Sequence, residues 1–201
     1  INGQTWTVQT IQPGGAKFFA TGSKKESNFH VVDSEHRGLA ALDAVTAIVI
    51  AEGYATADTL SQALSCPVVA AFDSGNLLKV AQVLQNKYPE KSIVIAGDDD
   101  LTQESINGKN PGKEKAMEAA QLVNGAVVLP IFAPGEQMLQ QLSDFNDLAN
   151  KSVLGIEAVK RQVGSVVEKV SQQAKQDSLL KLQVPIEPKQ QEIKQKRALI
   201  R

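Results

Sequence analysis

Ile48-Val49-Ile50-Ala51-Glu52-Gly53-Tyr54-Ala55-Thr56-Ala57 and, further along, Ile93-Val94-Ile95-Ala96-Gly97-Asp98-Asp99-Asp100 share one pattern: an unbroken apolar run that ends abruptly in carboxylates. A short apolar run of this kind, without polar alternation, predicts a strand covered on both faces, as in a parallel sheet. In an open α/β sheet the ligand site lies beyond the carboxyl ends of the strands. The acids therefore stand where a site is expected.

Working outward, the alternation continues. A helix is expected over Ala55 to Leu64, a strand over Pro67 to Phe72, a helix over Asn76 to Tyr88 and a strand over Ser92 to Ala96. A helix from Pro111 to Val123 and a strand from Ala126 to Leu129 complete the series. Strand and helix in strict turn predict a doubly wound α/β fold, with a mainly parallel sheet and helices on both faces. Before it, residues 6 to 32 are short apolar runs broken by Pro13-Gly14-Gly15 and Gly22-Ser23-Lys24-Lys25, which read as a small antiparallel meander. From Arg37 a helical stretch leads into the first buried strand, and after Asp144 Val153, Ile156, Val159 and Val163 recur at helical spacing. The expected division is a β-rich subdomain over 1–36, a catalytic domain over 37–165 and a helical, basic C-terminal extension over 166–201, ending in a helix from Lys189 to Arg201.

Composition sets the frame. The 201 residues are 42% hydrophobic with a net charge of −1, enough for one sizeable core and with no global basic signal for nucleic acid. A single cysteine, Cys66, excludes an internal disulfide framework and a cysteine-built zinc module, and fits a reducing, cytoplasmic setting. No apolar stretch is long enough for a membrane span, so no membrane partner is expected. The chain begins Ile1-Asn2-Gly3 without Met, which suggests a domain of a larger parent protein.

Several carboxylates on one rim repel one another unless a cation neutralises them. With no His or Cys among them, the donors favour Mg²⁺ or Mn²⁺ over zinc. Asp73 is read first as a cap for the helix near Asn76, since Asp is a favoured N-cap. Glu is a poor cap, so Glu52 after a buried run calls for a partner or an ion. On extended backbone Asp98 and Asp100 would face the site together and Asp99 would face away.

In this order the motifs resemble the Glu-Gly and Asp-x-Asp elements of toprim domains, the acidic modules of primases and topoisomerases. Asn110-Pro111-Gly112 with Lys113 and Lys115 resembles the turn that follows Asp-x-Asp, and Ser143-Asp144-Phe145-Asn146-Asp147-Leu148 resembles a later acidic motif of primases. The Glu-Gly-Tyr-Ala-Thr-Ala and Asp-Phe-Asn-Asp-Leu variants are most similar to primases of conjugative plasmids and mobile elements. The resemblance implies nucleotidyl transfer with Mg²⁺ or Mn²⁺, using ribonucleoside triphosphates on a single-stranded DNA template. It implies Glu52, Asp98 and Asp100 as the catalytic core, Glu52 as ligand or general base, and Asp144 and Asp147 as further ligands or helix caps. Lys109, Lys113 and Lys115 are the expected phosphate contacts near a helix N-terminus. Lys17, Lys24, Lys25 and Arg37 would form a nucleic-acid patch. Thr56 stands where replicative primases usually carry Asp, leaving one or two metals open, and Leu101 to Lys109 lengthens the loop beside the site. A toprim nuclease or topoisomerase, or a non-catalytic DNA- or partner-binding module, is the alternative; no tyrosine nucleophile motif favours the former.

Overall fold

The computed structural model describes residues 5–183. Its centre is a five-stranded sheet in the order β3-β5-β4-β6-β7, formed by β3 (His30–Val32), β4 (Ala47–Ala51), β5 (Val68–Ala70), β6 (Ser92–Ala96) and β7 (Ala126–Val128). The last four run parallel, and β3 pairs antiparallel with β5 at one edge. The doubly wound α/β fold expected from the apolar runs is the fold observed.

Alternation along each strand divides the core in two. Val49, Ala51, Val68, Ala70, Val94 and Ala96 face one layer of helices, α1 (Tyr54–Leu64), α6 (Phe145–Asn150) and α7 (Gly155–Gln183). Ile48, Ile50, Val69, Ala71, Ile93 and Ile95 face the other, formed by α2 (Ser74–Lys87) and α4 (Pro111–Leu122). Successive strand residues point to opposite faces, so runs apolar at every position can be covered only in this way. The Ala47–Ala51 strand is buried throughout. The chain leaves β4 toward β5 on one side and returns to β6 on the other. The crevice between the carboxyl ends of β4 and β6 is therefore the point where strand order reverses.

Three local expectations are corrected. Residues 6–32 do not form one meander: β1 (Gln9–Ile11) and β2 (Lys17–Phe19) make a separate antiparallel hairpin, while β3 joins the main sheet. The stretch after Arg37 is a 3₁₀-helix, Gly38–Ala44, that buries only Ala41 and Leu42. The loop after the triple Asp contains a short helix, α3 (Leu101–Asn107), and a further one, α5 (Glu136–Gln140), follows β7. Helix α7 runs through residue 166 without a break, and the basic helix expected over Lys189 to Arg201 lies outside the described residues.

Asn76 fastens the amino-terminal segment to the sheet. Its side chain is buried, its amide nitrogen lies 2.8–3.1 Å from the carbonyls of Ala71, Asn28 and Lys25, and its amide oxygen accepts from the Ser27 N–H at 2.8 Å. Phe19 of the hairpin meets Phe72 edge to face, with ring centroids 5.8 Å apart. The hairpin is thereby held at the same rim as the carboxylates.

Candidate active site

Glu52 leaves the end of β4 and Asp98 the end of β6, strands paired so that Ala51 stands opposite Ala96. The register puts the two acids level on neighbouring strands. Gly97 makes the approach to Asp98 possible: a Cβ there would lie 2.5 Å from the Ala116 Cβ on α4, so any other residue would push the helix from the strand end.

The electrostatics of these groups reflect their position. Burial holds the Asp98 carboxyl well above the usual carboxylate range, and the charges of Glu52 and Asp144 raise it further while Lys17 opposes them. Its Oδ1 is buried without a hydrogen-bond partner. Glu52 is also raised, first by burial and then by Asp73 and Asp144, against the Ser74 backbone N–H and Lys17. Burial likewise raises Asp144, although its carboxylate caps α6 by accepting the Asp147 N–H at 2.7 Å and takes the Thr56 hydroxyl at 3.1 Å. Thr56 thus places a neutral donor at the position where an additional acid would have stood.

The neighbouring acids are differently engaged. Asp73 caps α2, accepting the Asn76 N–H at 3.1 Å, and pairs with Lys25. Asp147 accepts the Ser143 N–H at 3.0 Å and pairs with Lys151 at 2.7 Å. Asp99 accepts the Asn110 amide at 2.7 Å and lies 3.5 Å from the Lys113 ammonium. Asp100 caps α3 by accepting the Gln103 N–H at 2.8 Å. Asp98 and Asp100 therefore differ in environment, because the backbone turns into α3 at Asp100 instead of continuing extended.

Of the basic residues expected to contact phosphate or template, Lys113 also faces Glu104 at 3.9 Å, Lys115 pairs with Glu118 at 2.6 Å, and Lys109 sits exposed between α3 and α4. Arg37 makes two contacts of 3.1 Å with Asp33, Lys24 lies 5.4 Å from the Trp6 ring centroid, and Lys25 lies 5.4 Å from that of Phe19. Lys17 belongs with the acids, since its charge acts on both Glu52 and Asp98. Asn110 is a site residue that sequence reasoning missed. Buried to 3% exposure, it donates to Asp99 and, at 2.9 Å, to Glu104, while its oxygen accepts the Asp100 N–H at 3.2 Å. The Asn-Pro-Gly turn marked the helix start but carried no sign that this amide ties down the acidic loop.

The donor set suits a hard cation. Glu52, Asp98 and Asp144 offer oxygen alone, one oxygen is buried and unpartnered, and burial, reinforced by the charges of neighbouring acids, raises all three carboxyls, which a cation would relieve. Among the described residues no three such groups close into a ready-made cage. An ion held here would keep several water ligands, as Mg²⁺ characteristically does.

Residues 47–153 match the model of the toprim domain. The chain belongs to the toprim family. The match begins at β4 and ends just beyond α6, and so contains Glu52, Asp98, Asp100, Asp144 and Asp147 but not the β1–β2 hairpin. Two Escherichia coli proteins named DNA primase TraC are similar to the chain. One is 39% identical over 230 aligned residues, covering 87% of this chain and 16% of the relative; the other is 38% identical over 253, covering 98% and 24%. The chain thus spans a quarter or less of these relatives' length. No solved structure matches. No helix among the described residues is long and apolar enough to cross a membrane.

Proposed function

We propose that this chain is the catalytic toprim part of a DNA primase, joining ribonucleotides into RNA primers on single-stranded DNA during plasmid transfer or replication, with Mg²⁺ or Mn²⁺ at its carboxylates. The observation that carries this reading is the unpartnered, buried oxygen of Asp98 beside Glu52 and Asp144 at the strand-order reversal of a toprim sheet. A buried carboxylate left in that state costs stability unless a positive ligand completes it.

In this reading Asp98 is the principal ligand, with Asp144 beside it and Asp100, whose carboxylate also caps α3, as a further one. The ion, when bound, neutralises charge on the phosphate oxygens of the incoming triphosphate. Glu52, held above the ordinary carboxylate range by burial, is the group to accept the proton of the attacking hydroxyl. The hydroxyl oxygen forms its bond to the α-phosphorus as pyrophosphate leaves, and the proton passes to the Glu52 carboxylate. Asp147, engaged with Lys151 and the Ser143 N–H, fixes the loop that presents Asp144. The remaining domains of the parent protein would supply template capture and a cytoplasmic assembly around this site.

The test is ribonucleotide incorporation on single-stranded DNA by the parent protein, with Mg²⁺, with Mn²⁺ and with chelator. Metal-dependent synthesis that vanishes in Asp98→Asn is the expected result. Synthesis unaffected by Asp98→Asn would remove the reading.

A further inference from the structure

Outside the toprim core, one basic side chain reaches the carboxylates. Lys17, on β2 of the amino-terminal hairpin, places its ammonium where a side chain on Gly53 would begin: a Cβ built on Gly53 would lie 3.3 Å from Lys17 Nζ. Gly53 caps α1 without any side-chain hydrogen bond, and the first turn of that helix carries no acid. Free backbone N–H groups there favour an anion, and the ammonium stands beside them.

Lys17 differs from the basic residues that are paired around the rim, and unlike Lys24 and Lys109, which are also unpaired among the described residues, it stands against the Glu-Gly turn. Around the rim Lys25 is paired with Asp73, Arg37 with Asp33, Lys113 with Asp99 and Lys151 with Asp147. Lys17 forms no ion pair among the described residues, although its charge acts on Glu52 and Asp98. No carboxylate among the described residues lies within ion-pair distance of it. Asp98 independently marks a ligand position at this place, through its buried Oδ1 that no protein group satisfies.

We propose that Lys17 grips the triphosphate of the incoming nucleotide, so that the β1–β2 hairpin is part of the nucleotide site and not a separate template-binding patch. The inference rests on the nucleotidyl-transfer reading above and adds the residue that recognises that substrate's phosphates. A flexible ammonium with three donors suits a polyphosphate beside a metal, where a point charge serves better than a fixed fork. A side chain on Gly53 would crowd the ammonium from this position. The same charge must repel the metal, so Lys17 should have opposite effects on the two ligands.

The experiment measures binding by this 201-residue chain, with Mn²⁺ alone and with ATP in the presence of Mn²⁺, using calorimetry, and with tripolyphosphate as competitor. Lys17→Gln should weaken ATP and tripolyphosphate binding roughly tenfold, as loss of a charge-assisted hydrogen bond implies. It should leave Mn²⁺ binding unchanged or tighter. Lys17→Arg should restore most of the nucleotide affinity, which a merely structural lysine would not require. Unchanged ATP affinity in Lys17→Gln with Mn²⁺ binding intact overturns the proposal and leaves the metal-dependent reading standing. A wild-type chain that binds neither Mn²⁺ nor ATP overturns both. Equal weakening of Mn²⁺ and ATP, with a lowered melting temperature, assigns Lys17 to folding and likewise overturns it.

Discussion

Two acidic groups share one rim of the sheet and have opposite characters. In the outer group Asp99 and Glu104 are joined to the Asn110 amide and the Lys113 ammonium, and each carboxylate has a protein partner. In the inner group Glu52, Asp98 and Asp144 are half-buried, all three are raised above the ordinary carboxylate range, and one buried oxygen of Asp98 has no partner at all. Only in the outer group is every carboxylate paired with a basic side chain of the protein. An acid whose partners are all present is part of the scaffold, whereas a buried acid that lacks one is arranged for something that arrives from outside.

The largest effect that can break this contrast is on activity. In the parent protein Asp98→Asn and Glu52→Gln should each lower metal-dependent ribonucleotide incorporation by roughly a hundredfold or more, because several kilocalories per mole of charge stabilisation are at stake. Asp99→Asn, in the compensated group, should stay within a few-fold of wild type. Incorporation assays on single-stranded DNA decide it. An Asp99 variant as inactive as the Asp98 variant would erase the distinction between the two groups.

Metal binding should come next in size. Mn²⁺ at a hundred times its dissociation constant should stabilise the folded chain by about 2.7 kcal/mol, seen as a rise in melting temperature of roughly 5–10 °C for a chain of this length. Asp98→Asn should abolish most of the rise and Asp99→Asn should not. A thermal melt with and without Mn²⁺ on the three proteins suffices, and an equal rise in all three would place the ion elsewhere.

Smaller still is the cost of loosening the outer group. Asn110→Ala removes a buried amide that serves Asp99, Glu104 and the Asp100 N–H and caps α4. Loss of a cap together with buried hydrogen bonds should cost about 1–2 kcal/mol in chemical denaturation. Loss of less than a few tenths would mean that the acidic loop holds itself.

The inner group was far more legible in the sequence than the outer one. Apolar runs ending in Glu52 and Asp98 predict buried parallel strands with acids at their carboxyl ends, because periodicity and strand ends are local properties. The antiparallel pairing of Val31 and Val32 with β5 depends on a distant segment, and no local signal separated these residues from the hairpin before them. Asp100 differs from Asp98 in its backbone. Its alternation with Asp98 assumed extended backbone, yet Asp100-Leu101-Thr102-Gln103 also carries the spacing of a helix-start capping box, and the structure follows that signal. Asp144 through Asp147 repeats the same geometry at α6. Lys17 was legible only as surface charge, since its approach to Gly53 depends on Asn76 and Phe72 holding the hairpin in place.

The smallest expected effect is a pH dependence, and its sign separates the two groups again. Burial and the charges of Glu52, Asp144 and Asp147 raise the Asp98 carboxyl, against the single opposing charge of Lys17. An acid whose pKa is higher folded than unfolded binds more protons in the native state, so its stability contribution is complete below the unfolded value near 4 and is lost as pH rises through the folded value. In metal-free protein the ionised Asp98 therefore destabilises the fold at neutral pH and above. Asp98→Asn, which keeps the shape and removes the charge, should raise the metal-free melting temperature at pH 8 by about 2–4 °C, as expected for roughly 1 kcal/mol in a chain of this size. The gain should shrink as pH falls and approach zero below about pH 4, where Asp98 becomes protonated in both states. Asp99→Asn should not raise the melting temperature, because it removes a carboxylate that Asn110 and Lys113 already partner. Melting curves of the three proteins in chelator across pH 4 to 8 measure the difference directly. An Asp98→Asn gain that is constant with pH would show that the benefit comes from packing, and the inner group would then be no more frustrated by charge than the outer.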